Sequence, residues 1–220
     1  MLPIDELTLA GKIAIWALPV IFAITVHEVA HGWVASKLGD NTAKRLGRLT
    51  LNPMSHVDLV GTLIVPAVLL FLGGFIFGWA KPVPVNFGLL RHPKRDMVYV
   101  AIAGPLANLV MAILWAVVLK LGLLYANSNE SVAMPLIYMG YAGIFINAIL
   151  MMLNLLPILP LDGGRVLAGL LPNSLSRQYS RTEPLGMPIL IIIIMMGWLS
   201  SILGPPVYFF QTSIFHMIGL

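Results

Sequence analysis

The sequence predicts an all-α polytopic membrane protein of about five to six transmembrane helices, with one short re-entrant extended or β segment. Three observations predict it. Hydrophobic residues fill 59% of the 220 positions and charged residues only 10%, where soluble domains carry about 25% charge, and mean hydropathy is +0.92. The few charges bracket runs long enough to cross a bilayer. The basic residues also fall on both sides of one such run, which a single helix cannot satisfy.

The spans follow from the charge-free runs. Between Lys12 and Lys37 the only acid or base apart from histidine is Glu28. The runs between Asp58 and Lys81, between Asp96 and Lys120 and between Glu130 and Asp162 carry no charge, nor does 184–220. Each exceeds the roughly 20 residues that a membrane helix needs at about 1.5 Å per residue. The expected spans are about 10–36, 59–78, 97–120, 133–156 and 188–218, in one integral-membrane domain over 1–220. Lipid bilayer is the first expected partner. Nucleic acid is excluded, because the net charge of +4 comes with no Lys/Arg run or aromatic platform. No cysteine is present, which rules out a disulfide framework and any thiolate-held metal.

Basic residues orient the chain. Lys37, Lys44, Arg45 and Arg48 form one basic loop, Arg91, Lys94 and Arg95 a second, and Arg165, Arg177 and Arg181 a third. The positive-inside tendency places these on the cytoplasmic side and 120–134 outside, in a multi-pass protein of the cell membrane. A simple span over 59–78 would put the first two loops on opposite faces. Residues 79–90, "WAKPVPVNFGLL", resolve this as a re-entrant extended segment, since non-helical backbone at membrane depth is tolerated where it lines a cavity.

One stretch departs from the apolar pattern. In "ITVHEVAHGW", residues 24–33, His27 and His31 are four apart and share a helix face, with Glu28 about 100° round the axis. Two imidazoles for one ion and a carboxylate for a water is the composition of a zinc hydrolase. The pair sits roughly 9–15 Å below the cytoplasmic end of its helix, where ionisable groups are costly and mark function.

A catalytic zinc usually has three protein ligands and one open position. Asp162, in "NLLPILPLDGGR" at 154–165, is the candidate third ligand. Pro157 and Pro160 prevent a regular helix there, and Gly163 and Gly164 allow close backbone approach. The competing reading is a helix N-cap, since Asp before an apolar run is a common helix start. Facing an intramembrane His-Glu-x-x-His, the ligand reading is favoured.

His27-Glu28-x-x-His31 followed by Asn154-x-x-Pro157-x-x-x-x-Asp162-Gly163, with Gly104-Pro105-x-x-Asn108 between them, resembles the site-2 protease family of intramembrane zinc metalloproteases. "LNPMSHVD" and "GWAKPVPVN" resemble its compact prokaryotic branch without a PDZ or CBS domain. The resemblance implies one zinc ion per chain held by His27, His31 and Asp162, with Glu28 activating water. It further implies cleavage of a transmembrane protein substrate within the bilayer, nearer the cytoplasmic face. No oligomeric state follows from it.

A helical substrate hides its peptide bonds and must unwind, so its backbone needs partners. In "KPVPVNF" Pro82 and Pro84 remove N–H groups from one edge of an extended strand, leaving Val83 and Val85 as donors on the other. That pattern suits strand addition by an unwound peptide. Asn108 and Asn154 are candidate substrate contacts, with Asn154 suggested by the resemblance as an oxyanion partner; interhelical packing is the other reading. His56, His92 and His216 lie near loops or the tail and receive no ligand role. The rival functions are a membrane metal transporter, which would offer several sites along a path, and an inactive membrane-protein-binding relative, which would lack a ligand or the base.

Overall fold

The computed structural model describes residues 8–64, 68 and 80–220. Helix α1, Leu9–Lys37, starts where the Thr8 side-chain oxygen accepts the Gly11 N–H at 3.2 Å, an N-cap that satisfies one free helix-end donor. It ends after Lys37, whose charge suits the helix C-terminus, and Gly39 turns the chain away at φ 119°. A short turn α2, Thr42–Arg45, follows, then a 3-10 turn, Pro53–His56, and a π-helical turn, Leu59–Ile64. Apart from position 68, the rest of the expected 59–78 span lies outside the described residues.

Residues 80–86 form neither helix nor strand, and the 3-10 turn Phe87–Leu89 leads to helix α3, Pro93–Tyr125. Pro93 occupies the first helical position, where its missing N–H costs nothing. The Asp96 carboxylate reaches back to the His92 N–H at 2.9 Å. Helix α4, Glu130–Asn154, is capped by Asn129. Then come α5, Asp162–Leu170, α6, Asn173–Ser180, α7, Glu183–Met195, and α8, Trp198–Met217.

The core is the contact of α3 with α4, crossed by α1. A Cβ on Gly140 would stand 2.6 Å from Leu119 Cβ, so the two helices approach to backbone contact. In lipid, where apolar side chains gain nothing by leaving their solvent, such close packing at small residues drives association. Trp115, Leu119, Ile137 and Ile144 fill this contact, and Ile214 of α8 closes it. Ile15 of α1 packs on Tyr138 and Ala142. The opposite face of α3, with Leu106, Val110, Leu114, Val117 and Leu121, is exposed and apolar, as a lipid-facing surface requires.

The expected architecture is met in part. Among the described residues three helices, α1, α3 and α4, are long and apolar enough to cross a membrane, or four if α7 and α8 count as one span, against the expected five to six. The expected 188–218 span is two helices meeting at 87°, because Gly197 adopts φ 72° and breaks the helix between Met195 and Trp198. Residues 80–86 form neither helix nor strand, and of these Asn86 has extended backbone angles. Several of the groups that a neighbouring strand would bond are instead held by side chains, and the Lys81 N–H by the His56 carbonyl, as described below.

Candidate metal centre

His27 and His31 stand one turn apart in the C-terminal half of α1, both buried. Each uses Nδ1 to fix its ring. The His31 Nδ1–H donates to the Val100 carbonyl at 2.7 Å, and His27 Nδ1–H donates to Asn108 Oδ1 at 2.7 Å. The Asn108 amide is itself set by its two donations, to Ala23 O at 3.1 Å and to Asn147 Oδ1 at 2.9 Å. Asn147 Nδ2 in turn donates to Gly143 O at 2.8 Å. This chain of donors places both ring protons on Nδ1, so both Nε2 atoms present lone pairs.

Those lone pairs converge. His27 Nε2 and His31 Nε2 are 3.0 Å apart, and Asp162 Oδ2 lies 3.3 Å from each. The Asp162 Oδ2 atom is buried and has no hydrogen-bond partner among the described residues. Three electron-pair donors facing one another without a proton between them repel unless a cation is shared. Their separations match three corners of a tetrahedron with bonds of about 2.0–2.1 Å, whose edges are about 3.3 Å. Two imidazoles and a carboxylate also suit zinc in ligand type. The residues fit the metal.

Local structure explains each position. Asp162 is the first residue of α5, and the N-cap is Leu161, which makes no side-chain cap; the carboxylate faces the histidines instead. The Gly-Gly pair after it lets α5 lie on the preceding turn, since a Cβ on Gly163 would collide with the Leu155 carbonyl and one on Gly164 would stand 2.5 Å from Leu159 N. Gly104 of α3 has the same purpose on the other side, because a Cβ there would overlap His31 Nε2. Asn108, expected as a candidate substrate contact, is fully buried with both ends of its amide engaged inside the protein.

Glu28 does not belong to this group of three. Its Oε2 accepts the Val83 N–H at 2.7 Å. Val83 and Val85 were expected to offer free N–H groups on one edge; the Val83 N–H is committed to Glu28, and its side chain is buried. Val85 packs against the cluster of Ala35, Leu90 and Val100. The rest of the segment is similarly pinned. Lys81 N–H donates to His56 O at 2.9 Å, Arg48 Nη2 donates to Lys81 O at 3.0 Å and to Pro82 O at 3.3 Å, and Asn86 N–H donates to Asp40 Oδ2 at 2.6 Å. Burial pushes the Asp40 carboxyl up, but hydrogen bonds from Thr42 and Asn86 and the nearby charge of Arg45 outweigh it and hold it below the ordinary carboxylate range.

A cavity of 420 Å³ opens beside the centre, its wall including His27, Glu28, His56, Asn154, Leu161 and Leu190. Asn154 donates to Leu150 O at 2.9 Å and belongs to this wall, not to the ligand group. Sequence reasoning missed Asn147, Arg48, Asp40 and the cavity position of His56.

A His-Glu-x-x-His helix with a third carboxylate, buried among helices apolar and long enough to cross a bilayer, defines a membrane metalloprotease. The comparisons agree. The model of peptidase family M50 matches residues 120–197. The chain is 37% identical over 188 residues to a Bacillus subtilis protein named "Putative zinc metalloprotease YwhC", covering 84% of this chain and 82% of that one. It is 30% identical over 191 residues to the Mycolicibacterium smegmatis protein named "Putative zinc metalloprotease Rip2", covering 86% and 70%. No solved structure matches. The chain belongs to peptidase family M50, the site-2 protease family.

Proposed function

We propose that the protein hydrolyses peptide bonds within or beside transmembrane segments of membrane-protein substrates, at a site nearer the cytoplasmic face. The observation that carries this reading is the convergence of His27 Nε2, His31 Nε2 and Asp162 Oδ2 beside a cavity whose wall also holds Glu28. The transporter alternative needs a succession of ligand clusters, and among the described residues this is the one group of three.

His27, His31 and Asp162 would hold one zinc ion, which supplies a Lewis acid and acidifies water there. Glu28 Oε2 is anchored by Val83, which leaves Oε1 to take a proton from water as it adds to the scissile carbonyl. The same oxygen then returns that proton to the leaving nitrogen. Asn108 and Val100 keep both Nε2 lone pairs aimed inward through the cycle. The unwound substrate lies in the cavity between residues 80–86 and Asn154, whose side chain meets substrate backbone. The basic loops at Lys44 to Arg48 and Arg91 to Arg95 face the cytoplasm.

The test is cleavage of a labelled single-span peptide by purified protein in proteoliposomes, with and without chelator. Cleavage that stops on chelation, returns with zinc and is absent in Glu28→Gln is the expected result. A chelator-insensitive cut, or none by the zinc-loaded protein on any single-span substrate tried, would overturn the reading.

A further inference from the structure

His56 is a buried imidazole, 3% exposed, for which the chemistry above has no use. It ends the 3-10 turn Pro53–His56. Its Nε2–H donates to the Thr50 carbonyl at 2.9 Å, so in the neutral ring Nδ1 carries a lone pair. That Nδ1 is buried and has no partner among the described residues. The ring forms part of the same cavity wall as His27, Glu28 and Asn154. Its own carbonyl accepts the Lys81 N–H, which ties it to the chain two residues before the amide that anchors Glu28.

Unpartnered buried polar atoms are rare in folded proteins, and each calls for a reason. Among the described residues four side-chain atoms are in this state: Arg48 Nε, His56 Nδ1, Trp115 Nε1 and Asp162 Oδ2. Asp162 is answered by the metal it fits. The Arg48 guanidinium already grips the Lys81 and Pro82 carbonyls, and Trp115 sits in the α3–α4 contact, away from the cavity. His56 Nδ1 is an acceptor on a cavity-wall residue, with no donor among the described residues. An unwound peptide brings a main-chain N–H at every residue.

We propose that His56 is a substrate-binding residue whose Nδ1 accepts one main-chain N–H of the peptide lying in the cavity. The contact holds the strand beside the scissile bond and recognises backbone instead of side chain. A purely structural histidine would need only the Nε2 bond to Thr50. The inference rests on the protease reading and adds to it a specific point of backbone capture.

Two substitutions separate the ring nitrogens. Gln at 56 keeps a donor for Thr50 O and loses the acceptor at Nδ1, whereas Asn keeps an oxygen near the Nδ1 position and cannot reach Thr50. Binding is read with metal-free protein and fluorescent single-span peptides, each N-methylated at one backbone position, so turnover is not involved. One methyl position should weaken binding to the wild type by about 10-fold, the scale of one hydrogen bond. His56→Gln should bind the unmethylated peptide equally weakly and ignore that methyl group, while His56→Asn should still discriminate. In ¹⁵N-histidine-labelled wild-type protein, the unmethylated peptide should move the His56 Nδ1 resonance and the methylated one should not, a readout that needs no variant to fold. An unmoved resonance, or equal methyl costs in wild type and His56→Gln, overturns the proposal. Whether zinc-loaded wild type cuts the unmethylated peptide tests the protease reading separately.

Discussion

The Val83 main-chain N–H donates to Glu28 Oε2 across 2.7 Å, joining residues 55 apart in sequence. The glutamate next to His27 is thus held by the segment 80–86, whose first residue, Ala80, lines the cavity. In the proposed mechanism, movement of residues 80–86 on binding a peptide would move the base, and one hydrogen bond would couple substrate position to proton transfer.

Val83→Pro tests this coupling. Proline at 83, between Pro82 and Pro84, removes the N–H. A hydrogen bond to a charged group contributes about 1.5–3 kcal/mol, so cleavage should fall roughly 10- to 100-fold while zinc content stays unchanged. Val83→Ala keeps the N–H and loses only side-chain packing against the Gly32 region, and should lose much less. Equal losses in the two variants would assign the effect to packing.

The roles of Glu28 and Asp162 separate by metal content. Glu28→Gln should retain about one zinc per chain and lose cleavage, because the amide keeps the shape and cannot take a proton. Asp162→Ala should lose both metal and activity, since it removes one of three converging donors. Zinc measured by atomic absorption after gel filtration distinguishes them, and full occupancy in Asp162→Ala would remove it from the ligand set.

Asn108 should act on the metal from a distance. Its carbonyl oxygen fixes the His27 tautomer, and partners of this kind typically change metal affinity 10–100-fold when removed. Asn108→Ala should weaken zinc binding by about that factor in a chelator competition. Asn147→Ala, one bond further back, should do so less, and Asn154→Ala should leave zinc affinity unchanged. Equal zinc affinity in Asn108→Ala and wild type would count against the relay.

What could be read from sequence and what could not divide along physical lines. The grouping of His27, His31 and Asp162 was legible because ionisable groups stand out at the edge of or inside charge-free apolar runs. Asn147 sits in such a run as well, yet its use depends on facing Asn108 of another helix, 39 residues away in sequence. The clamp on residues 80–86 was hidden for the same reason, since Glu28, Asp40 and Arg48 bond main-chain groups remote in sequence, which no local pattern encodes. The bend at Gly197 was hidden by uniformity. The 184–220 run has no charge to mark an end, and only one residue in it need adopt φ 72° to split the helix.

Asp40 gives a pH signature outside the metal centre. Its carboxyl is held below the ordinary carboxylate value by Thr42, Asn86 and Arg45 against the opposing effect of burial. A depressed carboxylate contributes stability above the unfolded-state value, about 3.9, and loses it as pH falls through the folded value. The melting-temperature gap between wild type and Asp40→Asn in detergent should therefore be widest above about pH 4 and shrink on further acidification. A gap that stays constant from about pH 3 to 7 would show that the charge of Asp40 contributes nothing.

Gly104 sets helix propensity against the site. Alanine in a helix interior is about 1 kcal/mol better than glycine, so on propensity alone Gly104→Ala should stabilise α3. The site predicts the opposite for function. A Cβ on residue 104 would overlap His31 Nε2 and stand 2.5 Å from His27 Cε1, and the rings cannot yield without breaking their bonds to Val100 and Asn108. The variant should keep its helical circular dichroism, lose zinc affinity by at least about 10-fold as a displaced ligand implies, and lose cleavage with it. Gly204→Ala in α8 is the matched control, since nothing lies within 4 Å of a Cβ there; it should bind zinc like the wild type. If Gly104→Ala binds zinc with wild-type affinity, the close approach of α3 to the two histidines is not what holds their geometry.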